Sequence, residues 1–384
     1  MTPVFTSRKV TLIGHPFVPI GMGEHLRSVF RSLLAVGTDV WVRDVYGGSR
    51  AEPTILSELS PRLTRRYSSD INLFCLNGDE VEPILKHIGE PLEGWNVIYP
   101  AWELSQFPKE WAAQLSMFDE IWTTSNFTYN AIRKAVATPV YHFPLAGEIT
   151  LGTFVGRRYF GIPESSFVFV FMFDFSSYIQ RKNPFAVLQA FEQLCQRRPN
   201  DDVQLVLKVK GGESRPDDYA MFRDQVAKYR DRVVVIDGLL SEDEVKNLIR
   251  CCDAFISLHR SEGFGLGLAA AMFLGKPVVA TAYSGNMEFM REDCACLVGY
   301  SLVEVSQGAY PFGEGQKWAE PNMDEAVDYM IRLSSDREYA RRIGDAASRY
   351  IRTNFSYRAT GLRYMDRINA IAAADKDRHR RSDV

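Results

Sequence analysis

Apolar positions along this chain follow two spacings that take turns. Residues 10–14 (Val-Thr-Leu-Ile-Gly) form a short apolar run. After a loop holding Pro16, Pro19, Gly21 and Gly23, residues Leu26, Val29, Phe30, Leu33 and Leu34 recur three to four apart, and Gly37 closes the pattern. The run predicts a buried strand, and the wider spacing predicts an amphipathic helix. Further strand-like runs lie at 40–42, 71–75, 95–99, 120–123 and 140–143. The alternation then restarts with 166–173 (Ser-Phe-Val-Phe-Val-Phe-Met-Phe), as expected of a strand covered on both faces. Runs at 203–209, 233–236, 254–258 and 278–281 continue it, with an amphipathic helix at 242–252. A helix at 337–355 and a last one at about 357–373 follow, the latter with Leu362, Met365, Ile368 and Ile371 on one face. The pattern predicts an α/β protein of two βα domains joined within 145–165.

The densest chemistry sits where the 254–258 run meets Ser261-Glu-Gly-Phe-Gly-Leu-Gly-Leu-Ala-Ala-Ala-Met272. A strand here delivers Glu262 into a glycine-spaced turn of Gly263, Phe264, Gly265, Leu266 and Gly267. The turn opens a helix that Gly275 and Pro277 end. Such a loop lies at the carboxyl edge of a parallel sheet, where ligands bind. Residues 176–184, including Ser176, Ser177, Arg181 and Lys182, put hydroxyls and two cations before a helix with Asn183 as N-cap and Pro184 as its first residue. Lys208 and Lys210 share a strand face near Gly211. They either add positive potential there or simply lie exposed near a strand end. After the 278–281 run, Ser284, Gly285 and Asn286 form a loop in which Gly285 permits positive φ. His259 reads as a structural neighbour of the glutamate loop or as a ligand contact. Gly21-x-Gly23 lacks the third glycine of a dinucleotide fingerprint, so a nicotinamide site is weakly supported.

Ser-Glu-Gly-Phe-Gly-Leu, the following Ala-Met and Gly-Lys-Pro-Val-Val-Ala-Thr resemble the donor-site signature of retaining glycosyltransferases of family 4. The resemblance implies the GT-B architecture: two Rossmann-like domains facing a central cleft, with a C-terminal helix crossing back onto the first. It implies an acceptor-side domain at 1–155, a donor domain at 156–355 and the returning helix at 356–375. Glu262 matches the first signature glutamate, which contacts the donor sugar. The second, which holds the nucleotide ribose, falls on Ala270. Lys182 matches the phosphate-binding lysine. Ser176 and Ser177 stand where the family carries an arginine, with Arg181 as its substitute. The Ser284, Gly285 and Asn286 loop would line the sugar pocket, a version similar to that of bacterial surface-polysaccharide enzymes. Gly21 and Gly23 match a loop facing the cleft. On the acceptor side, Trp102 and Glu103 pair an aromatic face with a carboxylate, although Trp102 reads equally as a core anchor.

The resemblance thus implies a GDP-, UDP- or dTDP-sugar donor, a saccharide or lipid-linked acceptor, no cofactor and no metal. Two rivals stand beside it: a catalytically silent relative kept for assembly with partner transferases, which Ala270 motivates, and a sugar-nucleotide epimerase. Composition narrows the field further. A formal charge of −3 over 384 residues, without a basic stripe, disfavours nucleic acid as a partner. Only 376–384 is locally basic, expected as a disordered, solvated tail with anionic-membrane contact as the lesser alternative. No run reaches the ~18 apolar residues of a membrane span, and a cytoplasmic location is expected, peripheral to the inner membrane face at most. The six cysteines carry no zinc spacing or disulfide framework.

Overall fold

The computed structural model describes residues 8–45, 47, 52–229 and 231–382, with side chains as far as residue 373. The chain divides after Ala146 and again after Arg352, so that 353 onward joins the N-terminal unit. The first division falls nine residues before the expected boundary at 155. The loop from Gly147 packs on the second unit, where a Cβ at Gly147 would lie 2.9 Å from Ala269.

The first unit holds six parallel strands: β1 (Lys9–Gly14), β2 (Asp39–Asp44), β3 (Ile71–Cys75), β4 (Trp95–Ile98), β5 (Glu120–Thr123) and β6 (Val140–His142). Their order is β2-β1-β3-β4-β5-β6, which reverses between β1 and β3. Val10, Leu12, Ile13, Leu73, Phe74, Val97 and Ile121 are buried, the pattern of strands covered on both faces. The first helix begins at Gly21, a turn earlier than the apolar spacing predicts. Gly23 allows this docking, because a Cβ there would lie 2.2 Å from the Val18 carbonyl.

The second unit has the order β12-β11-β10-β7-β8-β9, from β7 (Phe167–Asp174), β8 (Val203–Lys210), β9 (Val233–Asp237), β10 (Ala254–Ser257), β11 (Val278–Thr281) and β12 (Cys296–Val298). All pairs are parallel. The chain winds from β7 outward to β9, then returns to the other side of β7 as β10. The carboxyl ends of β7 and β10 therefore flank a topological switch point, the usual crevice for ligands in such sheets. An antiparallel hairpin, Tyr300–Glu304 with Lys317–Pro321, stands apart from this sheet. Its polar, weakly alternating sequence gives no clear strand signal.

The closing helix runs Tyr357–Ser382, beyond the expected end near 373. Residues 376–382 are thus helical rather than disordered, and 383–384 lie outside the described residues. Tyr364 is fully buried and stacks on Trp122 at 5.3 Å. Arg367 Nη2 lies 2.5 Å from Oε2 of Glu120, a fully buried carboxylate that also accepts from Trp122 Nε1 at 2.7 Å. Removing one partner of a buried ion pair strands the other. Arg367→Met should therefore destabilise the first unit by about 3–5 kcal/mol, measured by urea unfolding of the full chain. A loss under about 1 kcal/mol would show that water reaches Glu120.

Candidate functional site

Three loops leave the carboxyl edge of the second sheet beside the switch point. The first follows β7. Tyr178 takes φ +65°, a short helix Ile179–Lys182 follows, and Asn183 turns at φ +55° into the helix Pro184–Arg197. Asn183 is thus not the side-chain N-cap its sequence predicts. Its left-handed backbone makes the corner, and its Nδ2 donates to the Leu258 carbonyl at 3.0 Å. That bond ties the first loop to the second, which leaves β10.

The tie brings Arg181 and Lys182 to Glu262. Lys182 Nζ lies 2.5 Å from Glu262 Oε1, and Arg181 Nη1 lies 3.3 Å from Oε2. Arg181 Nη1 also donates to the Ser261 carbonyl at 3.0 Å. The Glu262 side chain is 12% exposed. Burial pushes its carboxyl up, but Lys182 and then Arg181 outweigh burial and bring it down to about 2. Glu262 is therefore ionised at neutral pH.

The remaining sequence candidates separate into near neighbours and supports. Gly265 has φ +97° at the start of the helix Leu266–Phe273, so its missing side chain is a conformational need. Phe264 packs on Phe289 at 5.0 Å. In the third loop the positive φ falls on Ser284 (+75°), not on Gly285 as expected. Gly285 is required by proximity instead: a Cβ would lie 2.1 Å from the Gly263 carbonyl oxygen. Ser284 Oγ accepts from the Glu262 amide at 2.8 Å, and the Gly285 amide donates to the Glu262 carbonyl at 2.8 Å. The third loop thus clamps the backbone of Glu262 from both sides.

His259 and Asn286 are supports. Asn286 Nδ2 donates to the Thr281 carbonyl at 2.9 Å, which leaves Oδ1 as acceptor for His259 Nε2 at 3.1 Å. Ser257 Oγ then donates to His259 Nδ1 at 3.0 Å. Burial lowers the histidine pKa, in keeping with this neutral tautomer. Lys210 pairs with Asp174 at 3.3 Å, and Asp174 caps the turn through the Ser176 amide and hydroxyl at 2.9 and 2.7 Å. Lys208 is buried rather than exposed at a strand end. Ser177 serves through its carbonyl, which accepts from Arg181 Nε at 3.3 Å.

In the first unit, Trp102 is a core anchor and offers no sugar platform: it is 1% exposed, packs on Phe107 and Trp111, and donates to the Gln106 carbonyl at 3.0 Å. Glu103 beside it is half-buried. Gly21 is exposed at the helix start, whereas Gly23 is a packing residue. Sequence reasoning missed the pair at this sheet's own switch point. There His15 Nε2 lies 2.7 Å from Glu80 Oε1, a contact between residues far apart in sequence and without a shared motif. Among the described residues, no helix is long and apolar enough to cross a membrane, and no three His, Cys, Asp or Glu side chains cluster to hold a metal.

A parallel βα sheet with two cations and a carboxylate beside its switch point defines an α/β domain with a charged crevice at its carboxyl edge. Residues 157–309 match the family described as glycosyl transferases group 1, so the second unit carries a glycosyltransferase domain. The two six-stranded sheets match GT-B glycosyltransferase structures. The Anabaena protein HepE in complex with UDP and glucose superposes with a TM-score of 0.69 at 14% identity, covering 94% of this chain and 100% of HepE. Sucrose-phosphate synthase from Thermosynechococcus elongatus also reaches 0.69, at 16% identity, covering 96% of this chain and 100% of that one. Trehalose synthase from Pyrococcus horikoshii is 24% identical over 194 residues, 50% of this chain and 41% of that relative's length.

A carboxyl that titrates lower when folded stabilises the fold above its unfolded value of 4.5, and that contribution is lost as pH falls toward 2. Wild-type protein should lose urea resistance across that window more steeply than Glu262→Gln. The variant should already be weaker at pH 7, by about 3 kcal/mol, because two cations lose their counter-ion. Parallel pH profiles for the two proteins would disprove the pairing.

Proposed function

We propose that this chain is a retaining glycosyltransferase moving a hexose or deoxyhexose from a nucleotide-diphosphate sugar to a saccharide or lipid-linked acceptor, in polysaccharide or glycoconjugate biosynthesis. The observation that carries this reading is the meeting of Lys182, Arg181 and an ionised Glu262 beside the β7/β10 switch point. A diphosphate needs cations, and a sugar needs an acceptor of hydroxyl hydrogen bonds. Without ligand, the two requirements satisfy each other as an ion pair. On donor binding the phosphate oxygens replace Glu262 on the cations, and the released carboxylate accepts from the sugar hydroxyls. Each buried charge keeps a partner before and after, which avoids the cost of an isolated one.

The same cations then meet the negative charge that grows on the departing diphosphate as the anomeric bond breaks. In the retaining course the acceptor oxygen attacks from the face the diphosphate leaves, and a phosphate oxygen takes the acceptor proton. This needs no side-chain base, resident cofactor or metal. HepE in complex with UDP makes a UDP-sugar the first donor to test, with GDP- and dTDP-sugars as alternatives. We infer a cytoplasmic site of action, peripheral to the inner membrane face where the acceptor is lipid-linked, with no nucleic-acid partner.

Thermal shift against UDP-, GDP- and dTDP-sugars should raise the melting temperature with one nucleotide class, because ligand binds the folded form. Acceptor-dependent release of that nucleotide should accompany it. Binding without transfer or hydrolysis would favour a silent assembly protein, and acceptor-free isomerisation an epimerase. Ala270 stands in the second turn of the helix Leu266–Phe273. Ala270→Glu should tighten nucleotide-sugar binding roughly tenfold, as a charge-assisted hydrogen bond to ribose allows. Unchanged or weaker binding by calorimetry would mean that ribose is held by another group.

A further inference from the structure

The hairpin outside the second sheet meets the cation turn at two places, the first of them Arg260. The Ala319 amide donates to the Arg260 carbonyl at 3.0 Å, and the Arg260 amide donates to the Arg181 carbonyl at 2.8 Å. The side chains repeat this path. Arg260 Nε and Nη2 each lie 2.7 Å from Glu320 Oε2, while Nη1 donates to the Gln180 carbonyl at 2.8 Å. The guanidinium also lies 5.7 Å from the ring of Trp318, which is buried.

A second contact comes from the hairpin tip. Tyr310 meets Tyr178 edge-on at 5.0 Å, and the Arg181 guanidinium lies 5.9 Å from the Tyr310 ring. Tyr178 is the residue whose φ of +65° starts the cation turn. A side chain in that region is held there only by its surroundings. The tip is itself firmly built: Gln316 is buried, donates from Nε2 to the Phe312 carbonyl at 2.9 Å, and accepts from the Val305 amide at 2.9 Å.

We propose that the hairpin Tyr300–Glu304 with Lys317–Pro321 is a positioning element for diphosphate binding. Glu320 acts through Arg260 on the Gln180 carbonyl, and Tyr310 acts through Tyr178 and Arg181. Between them they fix the turn that aims Arg181 and Lys182. The inference rests on the donor-site reading above, and its test separates the two.

UDP, GDP and dTDP are titrated by calorimetry into wild-type protein, Tyr310→Leu, Tyr310→Phe and Glu320→Gln, with melting temperatures measured beside them. Tyr310→Leu should raise the Kd of the nucleotide that wild type binds by about five- to tenfold, as loss of an aromatic face to a cation permits. Tyr310→Phe keeps the ring and should stay within about twofold. Glu320→Gln should raise Kd by about three- to tenfold. Donor KM should rise with Kd while kcat changes less. Wild-type affinity in both Tyr310→Leu and Glu320→Gln would overturn the proposal. So would equal losses in Tyr310→Leu and Tyr310→Phe, or losses that merely track a fallen melting temperature. If wild-type protein binds none of the three nucleotides, the donor-site reading itself fails.

Discussion

A carboxylate held between two cations in a poorly hydrated crevice constrains the whole second unit. Glu262, Lys182 and Arg181 come from loops after β10 and β7, so their meeting depends on these strands being neighbours. Only a strand order that reverses at β7 makes them so. Coulomb attraction at this depth is stronger than at a wet surface, but so is the penalty for a missing partner. The surrounding bonds accordingly act on backbone: Ser284 and Gly285 fix Glu262, Asn183 ties the two loops, and the neutral His259 with Asn286 sets the third loop.

Much of this was legible in the sequence because buried parallel strands leave an unmistakable apolar record. The runs at 166–173, 203–209 and 254–258 each became strands of one sheet. Glu262 stood out as a charge among glycines at a strand end, and Lys182 as a cation just before the Asn183-Pro184 helix start. What escaped was whatever depends on tertiary contact. Ser284 adopts left-handed backbone that its side chain does not announce, and Asn183, a residue that tolerates that region, uses it in place of the N-cap its position suggests. Gly285 is needed for a close approach visible only in three dimensions. Trp102 could be read as platform or anchor until Phe107 and Trp111 were seen to enclose it.

The hairpin was missed for a related reason. Its strands alternate poorly, since several faces are exposed and its tip is held by polar bonds such as Gln316 to Phe312. Period-two patterning arises from one face packing on a core. A hairpin that buries Trp318 and Ala319 side by side on one strand and leaves most of the other exposed gives little of that record.

Glu120 and Arg367 belong to one unit but are separated by 247 positions in the chain. During synthesis every residue of the second unit is joined before Arg367. Glu120 therefore gains its cation, and Trp122 its stacking partner Tyr364, only after the rest of the chain has been made. Synthesis order thus makes the unit that begins first the one that finishes last.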